Sequence, residues 1–300
     1  MSRILVTGSA GLIGSALVPA LRLSGMDVVT FDRAEPGCSR NVTDAGSVRA
    51  AAAGCSGIVH LAAASRVARG EQDPARCRLV NVTGTRNVLA AAHACAPQPW
   101  VLFASTREVY GKQAVFPVPE SAAVAPLNVY ARSKVDGESL VMASRQAGLR
   151  ASIVRFSNVY GSVTDHPDRV APAFARAAAE GAALCVNGSG TVLDFTHLED
   201  VTAALARTVG MLSAGEGLLP TIHLASGHGT TLTELAHTAI RLGGAGRITH
   251  ASRKEYEVDK FIGDPALAEQ ILGWRAAIPV EDGMARLIES FRLLEPAETS

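Results

Sequence analysis

Apolar residues recur along this 300-residue chain in two rhythms. Short apolar runs bounded by turn residues read as buried strands: Arg3 to Thr7, Asp27 to Phe31, Ile58 to Ala62 and Trp100 to Ser105. Between them, apolar residues return every three or four positions, as in helices packed along one face. The first such segment runs from Leu17 to Leu23. Asp44 reads as the N-cap of a helix over 45–53, and Pro74 stands in the first turn of a long helix reaching Ala94. Another helical pattern spans 127–147. Farther on, Val170 to Glu180 and 198–211 read as helices, and Leu184 to Val186 and Thr221 to Leu224 as short strands. This alternation predicts an α/β fold with a doubly wound parallel sheet covered on both faces.

Composition narrows the function classes. Hydrophobic residues make up 48% and charged residues 19%, which suits a well-buried globular enzyme and not a disordered chain. The formal net charge is zero, so nothing resembles the footprint of a nucleic-acid binder or of a protein drawn to anionic membranes. No apolar run approaches the roughly 18 residues of a membrane span, and the opening residues lack the apolar core of a signal peptide. The five cysteines, at 38, 55, 77, 95 and 185, form no Cys-x-x-Cys pair, and the eight histidines show no ligand spacing. A cytoplasmic, metal-free protein with reduced thiols is expected.

Three stretches carry chemistry. The first strand runs into Gly8-Ser9-Ala10-Gly11-Leu12-Ile13-Gly14 and then a helix. Such a loop offers backbone amides and a positive helix end to a pyrophosphate. The second strand ends at Asp32, where a carboxylate can accept both ribose hydroxyls and would repel a 2′-phosphate; this favours NAD, although Arg33 stands beside it. Tyr130 and Lys134 lie one helical turn apart on one face. A free tyrosine has a pKa of about 10. An adjacent ammonium, or a positively charged nicotinamide ring, favours the phenolate, which could take a proton from an alcohol as hydride leaves the same carbon. The fourth strand ends in Ser105-Thr106-Arg107-Glu108 at the edge of the sheet that faces a ligand crevice. Thr106 is placed to hydrogen-bond an oxygen held near Tyr130. Arg107 and Glu108 read either as a surface ion pair or as site residues.

Taken together, Thr7-Gly8-x-x-Gly11-x-x-Gly14, Asp32, His60-Leu61-Ala62-Ala63, Asn81-Val82-x-Gly84-Thr85, Ser105 to Gly111, Tyr130-x-x-x-Lys134, Arg155 to Gly161, Gly188-x-Gly190, Asp194-Phe195 and Leu272-Gly273-Trp274 span nearly the whole chain. In that order and spacing they resemble the extended short-chain dehydrogenase/reductases of the NAD-dependent epimerase/dehydratase family, which act on nucleotide sugars. The resemblance implies a Rossmann-type domain over 1–161 and 196–224, with a smaller, mostly C-terminal substrate lobe over 162–195 and 225–300. It implies that Lys134 holds the nicotinamide ribose and biases Tyr130, the proton acceptor and donor, while Thr106 binds the C4 hydroxyl. Gly11, Leu12 and Ile13 would face the pyrophosphate. Leu61, Ala62 and Ala63 would line the adenosine channel, and Asn41 would accept from the adenine amine. Val42 and Asn81 complete the expected cofactor set, and Asn158 would touch the sugar or its phosphate.

One departure concerns phosphate binding. The family usually carries arginine where this chain has Leu193; that arginine pairs with the substrate diphosphate, and Arg253 could compensate. A second departure concerns the reaction. A 4-epimerase, the first expectation, needs little beyond Tyr130, Lys134 and Thr106. A dehydratase would use Glu108 but would need an acid where this chain has Arg107, and arginine does not donate a proton at useful rates; with Arg107 on a substrate carboxylate, Glu108 would suit a decarboxylase or hold the loop. Arg107 could instead pair with a C6 carboxylate, which would make the substrate a hexuronate in place of a UDP-hexose. A catalytically silent NAD-binding protein is the alternative from another class. Helices 74–94 and 127–147, apolar on more than one face, match the homodimer interface of the family.

Overall fold

The computed structural model describes residues 2–34 and 40–294; Cys38 and the tail 295–300, expected to be frayed, lie outside the described residues. In chain order the elements are β1 (Arg3–Thr7), α1 (Leu12–Leu23), β2 (Asp27–Phe31), α2 (Ala45–Ala52), β3 (Gly57–His60), α3 (Val67–Gln72), α4 (Pro74–Arg78), α5 (Gly84–Ala94), β4 (Trp100–Thr106), α6 (Val129–Gln146), β5 (Ala151–Phe156), β6 (Asn158–Tyr160), α7 (Val170–Ala179), β7 (Ala183–Asn187), β8 (Val192–His197), α8 (Leu198–Ala214), β9 (Ile222–Leu224), β10 (Gly229–Thr231), α9 (Leu232–Gly243), β11 (Arg247–Ala251), α10 (Ala266–Leu272) and α11 (Val280–Arg292).

Six strands form a parallel sheet in the order β2-β1-β3-β4-β5-β9. Alternate side chains of each strand feed opposite layers, as the two-residue period requires. Ile4, Val6, Val59 and Leu102 pack with Leu17 and Leu21 of α1 and Val201, Leu205 and Val209 of α8. Leu5, Ile58, Val101 and Phe103 pack with Val48 of α2, Val88 and Leu89 of α5 and Val141 of α6. A third cluster joins α7, α9 and α11 to β7 and β8 through Phe174, Leu184, Leu193, Leu235 and Leu287. Two smaller sheets, β10-β8-β6 and β11-β7, lie outside the main one.

The chain reverses direction of travel after β2, which puts β1 between β2 and β3 and opens a crevice at their carboxyl ends. Gly8 sits there with φ +75°, and a Cβ on it would stand 2.6 Å from the Ala62 nitrogen. The close approach of these two loops explains why β3 stops at His60 and not at Ala62: from Leu61 the backbone leaves the sheet to form the crevice wall. The long helix expected over 74–94 is interrupted by a π-turn, Leu79–Thr83, with Asn81 inside it. Among the described residues, no helix is long and apolar enough to cross a membrane, and no cluster of potential metal ligands occurs.

Candidate active site

A cavity of about 630 Å³ runs from the end of β2 to the start of α6. Gly8, Gly11, Leu12, Ile13 and Gly14 line it at one wall, with Asp32, Asn41 and Val42 beyond them and Leu61, Ala62 and Ala63 opposite. The glycine loop leaves no room for side chains: a Cβ on Gly14 would lie 2.2 Å from the Gly8 carbonyl oxygen and 2.7 Å from Ser9 Cα. Asp32 is held in place by backbone amides, its Oδ2 accepting from Ala10 at 3.1 Å and its Oδ1 from Ala34 at 2.9 Å. Each carboxylate oxygen keeps lone-pair capacity for a ribose hydroxyl. A bare-backbone cradle before a helix, with a fixed acid at its rim, fits a dinucleotide.

Asn81 is the exception among the expected cofactor residues. It does not line this cavity. Its Oδ1 accepts from the Ala64 amide at 2.7 Å, and its Nδ2 donates to the Ala64 carbonyl at 3.2 Å and to Ser133 Oγ at 2.8 Å. A side chain engaged in this way secures the loop after β3 to α6.

At the far end of the cavity stand Thr106, Tyr130 and Lys134. Asn128 caps α6, its Oδ1 accepting from the Ala131 amide at 2.8 Å, and this fixes Tyr130 in the first turn. Lys134 Nζ donates to the Ala104 carbonyl at 2.7 Å and lies 4.9 Å from the centroid of the Phe103 ring. Burial pushes the Lys134 amine down to about 8, against the opposing pull of Cys77 and Glu138. Burial also pushes the Tyr130 phenol up to about 12, while Arg169 and the Thr106 hydroxyl pull it down and Glu108 and Cys77 raise it. This corrects the expectation that Lys134 by itself favours the phenolate. In the chain without a dinucleotide, desolvation outweighs the neighbouring cations, and the cation that acts most on the phenol is Arg169.

A second cavity, of about 510 Å³, shares the walls formed by Thr106, Tyr130, Ser157 and Arg169 with the first. The expected substrate residues Arg107, Asn158 and Arg253 line it, as do Glu108 and Leu193. Arg107 and Glu108 do form an ion pair, at 2.8 Å, but a buried one: their side chains are 9% and 10% exposed, so the surface alternative is set aside. Glu108 Oε2 accepts from Asn128 Nδ2 at 3.0 Å, and Arg107 Nη2 also donates to Asn158 Oδ1 at 3.3 Å. Arg107 Nη1 is buried with no hydrogen-bond partner. Arg253 donates to the carbonyls of Lys254 and Glu257 and stands 3.7 Å from Asp259.

Several cavity residues escape the sequence reading. Arg66, in the loop before α3, makes a bidentate ion pair with Asp168, 102 residues away. Arg169, the N-cap residue of α7, stands 3.5 Å from Asp165. No local spacing marks the Arg66–Asp168 pair, because the fold and not the neighbouring sequence brings the partners together; Arg169 and Asp165 are four residues apart. The segment Thr164, Asp165 and His166 also lines the first cavity, without any motif to announce it.

Comparison with known proteins agrees with this geometry. The sequence model of the NAD dependent epimerase/dehydratase family matches residues 4–217. A UDP-glucose 4-epimerase of Mycolicibacterium smegmatis is 31% identical, over 97% of this chain and 98% of its own length. UDP-glucuronic acid decarboxylase 1 of Xenopus tropicalis is 27% identical, over 97% of this chain and 72% of its own. The crystal structure of the UDP-glucose 4-epimerase of Thermus thermophilus in complex with NAD superimposes with a TM-score of 0.88 at 25% identity, covering 98% of this chain and 100% of that one.

Proposed function

Because the chain belongs to the NAD-dependent epimerase/dehydratase family, we propose that it inverts C4 of a nucleotide sugar, most simply a UDP-hexose, through a transient 4-ketosugar. Residues 1–161 and 196–224 hold NAD, and residues 162–195 and 225–300 form the lobe that covers the sugar nucleotide. Gly8, Gly11, Leu12, Ile13 and Gly14 cradle the pyrophosphate, Asp32 takes the adenosine ribose, and Lys134 takes the nicotinamide ribose. NAD, when bound, supplies the acceptor and later the donor of the C4 hydride, with a positively charged ring close to Tyr130. Thr106 orients the C4 hydroxyl. Tyr130 removes its proton and returns it once the ketosugar has presented its other face. With the phenol at about 12 in the free chain, this transfer depends on positive charge gathered around Tyr130.

The observation that carries epimerisation over elimination is the state of Glu108. Both of its carboxylate oxygens are engaged, one by Arg107 and one by Asn128. Elimination would also need an acid where Arg107 stands, and arginine does not donate a proton at useful rates, whereas the Thr106–Tyr130 pair that epimerisation needs stands in the wall common to both cavities. The test is product analysis by NMR with UDP-glucose and UDP-galactose. Interconversion is expected, with a loss of about 1,000-fold in Tyr130→Phe. Formation of a 6-deoxy-4-ketosugar from either, or release of carbon dioxide when UDP-glucuronate is supplied, would overturn the reading in favour of Glu108 chemistry. No reduction of NAD together with no change in any sugar nucleotide would leave a silent binder.

A second reading of the substrate draws on the partnerless Arg107 Nη1, a donor suited to a C6 carboxylate. UDP-glucose and UDP-glucuronate should be offered side by side. Equal turnover of the two, or unchanged uronate turnover in Arg107→Ala, would reject the hexuronate. The protein acts in a reduced cytoplasm, in keeping with four free thiols among the described residues. It pairs with a second copy through the helices at 74–94 and 127–147, where Leu79 and Met142 are 50% and 43% exposed; a mass measurement in solution tests this.

A further inference from the structure

A short line of polar side chains runs from the core to the wall common to both cavities, and the proposed reaction does not use it. Asp194 and Thr196, on β8, are wholly buried. The Asp194 carboxylate is surrounded by donors. Its Oδ1 accepts from the Ser226 amide at 2.9 Å and the Ser226 hydroxyl at 2.8 Å, and its Oδ2 from the amides of Gly227 at 2.9 Å and Gly263 at 3.2 Å. Thr196 Oγ1 lies 3.3 Å from the same Oδ1. A carboxylate only accepts, so the single proton of the Thr196 hydroxyl goes to Asp194. Thr196 Oγ1 is also 2.7 Å from Ser157 Oγ. With the threonine proton spent, the proton between these two hydroxyls is the serine's: Ser157 donates and Thr196 accepts.

The direction of this line decides what Ser157 can offer a ligand. Ser157 stands between β5 and β6 and is half-buried. Phe156 before it lines the first cavity, Asn158 after it lines the second, and Ser157 itself lines both. Its proton is committed inwards, to a partner that no solvent reaches. Toward a ligand the hydroxyl therefore presents lone pairs and no hydrogen. A sugar hydroxyl both donates and accepts, so it gains nothing from an oxygen restricted in this way. The matching group is one that donates and does not accept. A dinucleotide laid along the first cavity, with its nicotinamide end by Thr106, Tyr130 and Lys134, carries such a group: the NH₂ of the ring's carboxamide.

We propose that Ser157 accepts a hydrogen bond from the nicotinamide carboxamide, with Thr196 and Asp194 fixing its hydroxyl in that sense. Ser157 is then a cofactor-binding residue that sets the orientation of the ring. The carboxamide marks one edge of the ring, so holding it decides which face turns toward the second cavity, where the sugar lies. That one face must both take the C4 hydride and give it back. This role rests on the placement of NAD proposed above, and neither the glycine spacing nor the Tyr-x-x-x-Lys pattern announces it.

The experiment measures binding and not turnover, by calorimetric titration with NAD and two analogues. The acetylpyridine analogue carries a methyl group in place of the NH₂; the thionicotinamide analogue keeps the NH₂ and replaces the carbonyl oxygen. The unaltered chain should bind NAD and the thionicotinamide analogue within about threefold of each other, and the acetylpyridine analogue about tenfold more weakly. In Ser157→Ala the acceptor is gone, and NAD and the acetylpyridine analogue should bind within about twofold of each other. In Thr196→Val the Ser157 proton is released. The hydroxyl can then donate to an acetyl oxygen turned toward it, and the preference for NAD should shrink to about threefold. A preference that stays near tenfold in either variant overturns the proposal, as does its absence from the unaltered chain. A thionicotinamide analogue as weak as the acetylpyridine one overturns it too, since the preference would then follow the carbonyl oxygen. Circular dichroism shows whether the variants fold, and either one decides if the other does not. ADP-ribose, which has no nicotinamide, separates the two layers: it should bind the unaltered chain and Ser157→Ala within about twofold of each other. If neither ADP-ribose nor NAD binds the unaltered chain, the placement of the dinucleotide itself fails; if both bind and the preference is missing, only the role of Ser157 does.

Discussion

The two cavities share Thr106, Tyr130, Ser157 and Arg169 in their walls but are built in opposite ways. The first is made of backbone. Its glycine loop, its amide-held Asp32 and the turn at Leu61 place bare peptide groups around an elongated space. The second is made of paired side chains: Arg66 with Asp168, Arg107 with Glu108, and Arg253 on the carbonyls beside it. A backbone-built site has one ligand shape to offer, and any added atom spoils it. A site built from ion pairs can exchange partners when an anion arrives, so sequence change there retunes affinity and selectivity without destroying the cavity.

The largest test of that contrast is Gly14→Val. The new side chain begins 2.2 Å from the Gly8 carbonyl oxygen, with backbone on every near side and nothing flexible to give way. NAD affinity should fall by at least about 1,000-fold, roughly 4 kcal/mol, while UDP binding in the second cavity changes by no more than about twofold. Calorimetric titration of both ligands, with circular dichroism to show a folded chain, checks this. Near-normal NAD binding would break the comparison at its stronger end.

Acid should act on the fold through two buried histidines in different parts of it. His60 lies beneath the first cavity, its ring nitrogens 2.7 Å from Thr7 Oγ1 and 3.1 Å from Thr85 Oγ1. His223 packs against Tyr110 beside Arg155, its Nδ1 without a hydrogen bond and 3.8 Å from Glu120 Oε1. Burial pushes each down to about 3. The unfolded chain takes up these protons near pH 6.5 and the folded chain does not. The stability each neutral ring contributes is therefore intact above pH 6.5 and lost as pH falls from there toward 3. Each costs about 1.4 kcal/mol per pH unit, or roughly 2.7 kcal/mol by pH 4.5. Urea melts at several pH values should show this slope, and His60→Asn or His223→Asn should each remove about half of it. A slope that follows only one histidine would mean that one region alone governs acid unfolding.

The same contrast decides what can be read from sequence. Asp27–Phe31, the cap at Asp44 and the proline at position 74 are legible because each is a local signal acting on its own neighbours. The cradle is legible for the same reason, since glycine spacing is local. Arg66 and Asp168 are not, because an ion pair across 102 residues has no pattern along the chain. The π-turn at Leu79–Thr83 is hidden as well: its apolar residues suit a continuous helix, and the contacts of Asn81 with Ala64 and Ser133 come from the tertiary fold. Helix α9 is missing from the sequence reading although its signal is present, a capping box between Thr231 and Glu234. The protonation of Tyr130 cannot be judged from spacing, because a helical turn puts a lysine beside it but says nothing of how deeply both are buried.

A smaller effect is expected at Arg66→Ala. The pair with Asp168 joins the loop before α3 to the segment before α7, and both residues line the second cavity. Asp168 is 60% exposed, so solvent screens the pair and its loss should weaken UDP-sugar binding by only about fivefold, near 1 kcal/mol. NAD affinity should stay within about twofold. The charge-reversed double variant Arg66→Asp/Asp168→Arg should recover most of the loss. If NAD binding falls in step with sugar-nucleotide binding, the pair braces the whole molecule and the division into two kinds of site is too sharp.

The smallest effect bears most directly on how the second cavity holds anions. Leu193 lines it from β8 and is 7% exposed, packed in the cluster with Phe174, Leu184 and Leu232. Arginine at this position would add a cation beside a diphosphate, but it would also be desolvated among apolar neighbours, and the two terms nearly cancel. Leu193→Arg should tighten UDP by only about threefold at 0.05 M salt, close to 0.6 kcal/mol. The gain should shrink at 0.5 M, where screening reaches within a few ångströms. A gain that survives high salt would come from shape and not from charge. A loss of affinity at both salts would mean that the leucine wall itself contacts the ligand, so that the cations already lining the cavity suffice for the diphosphate and the departure at Leu193 serves the sugar or the base.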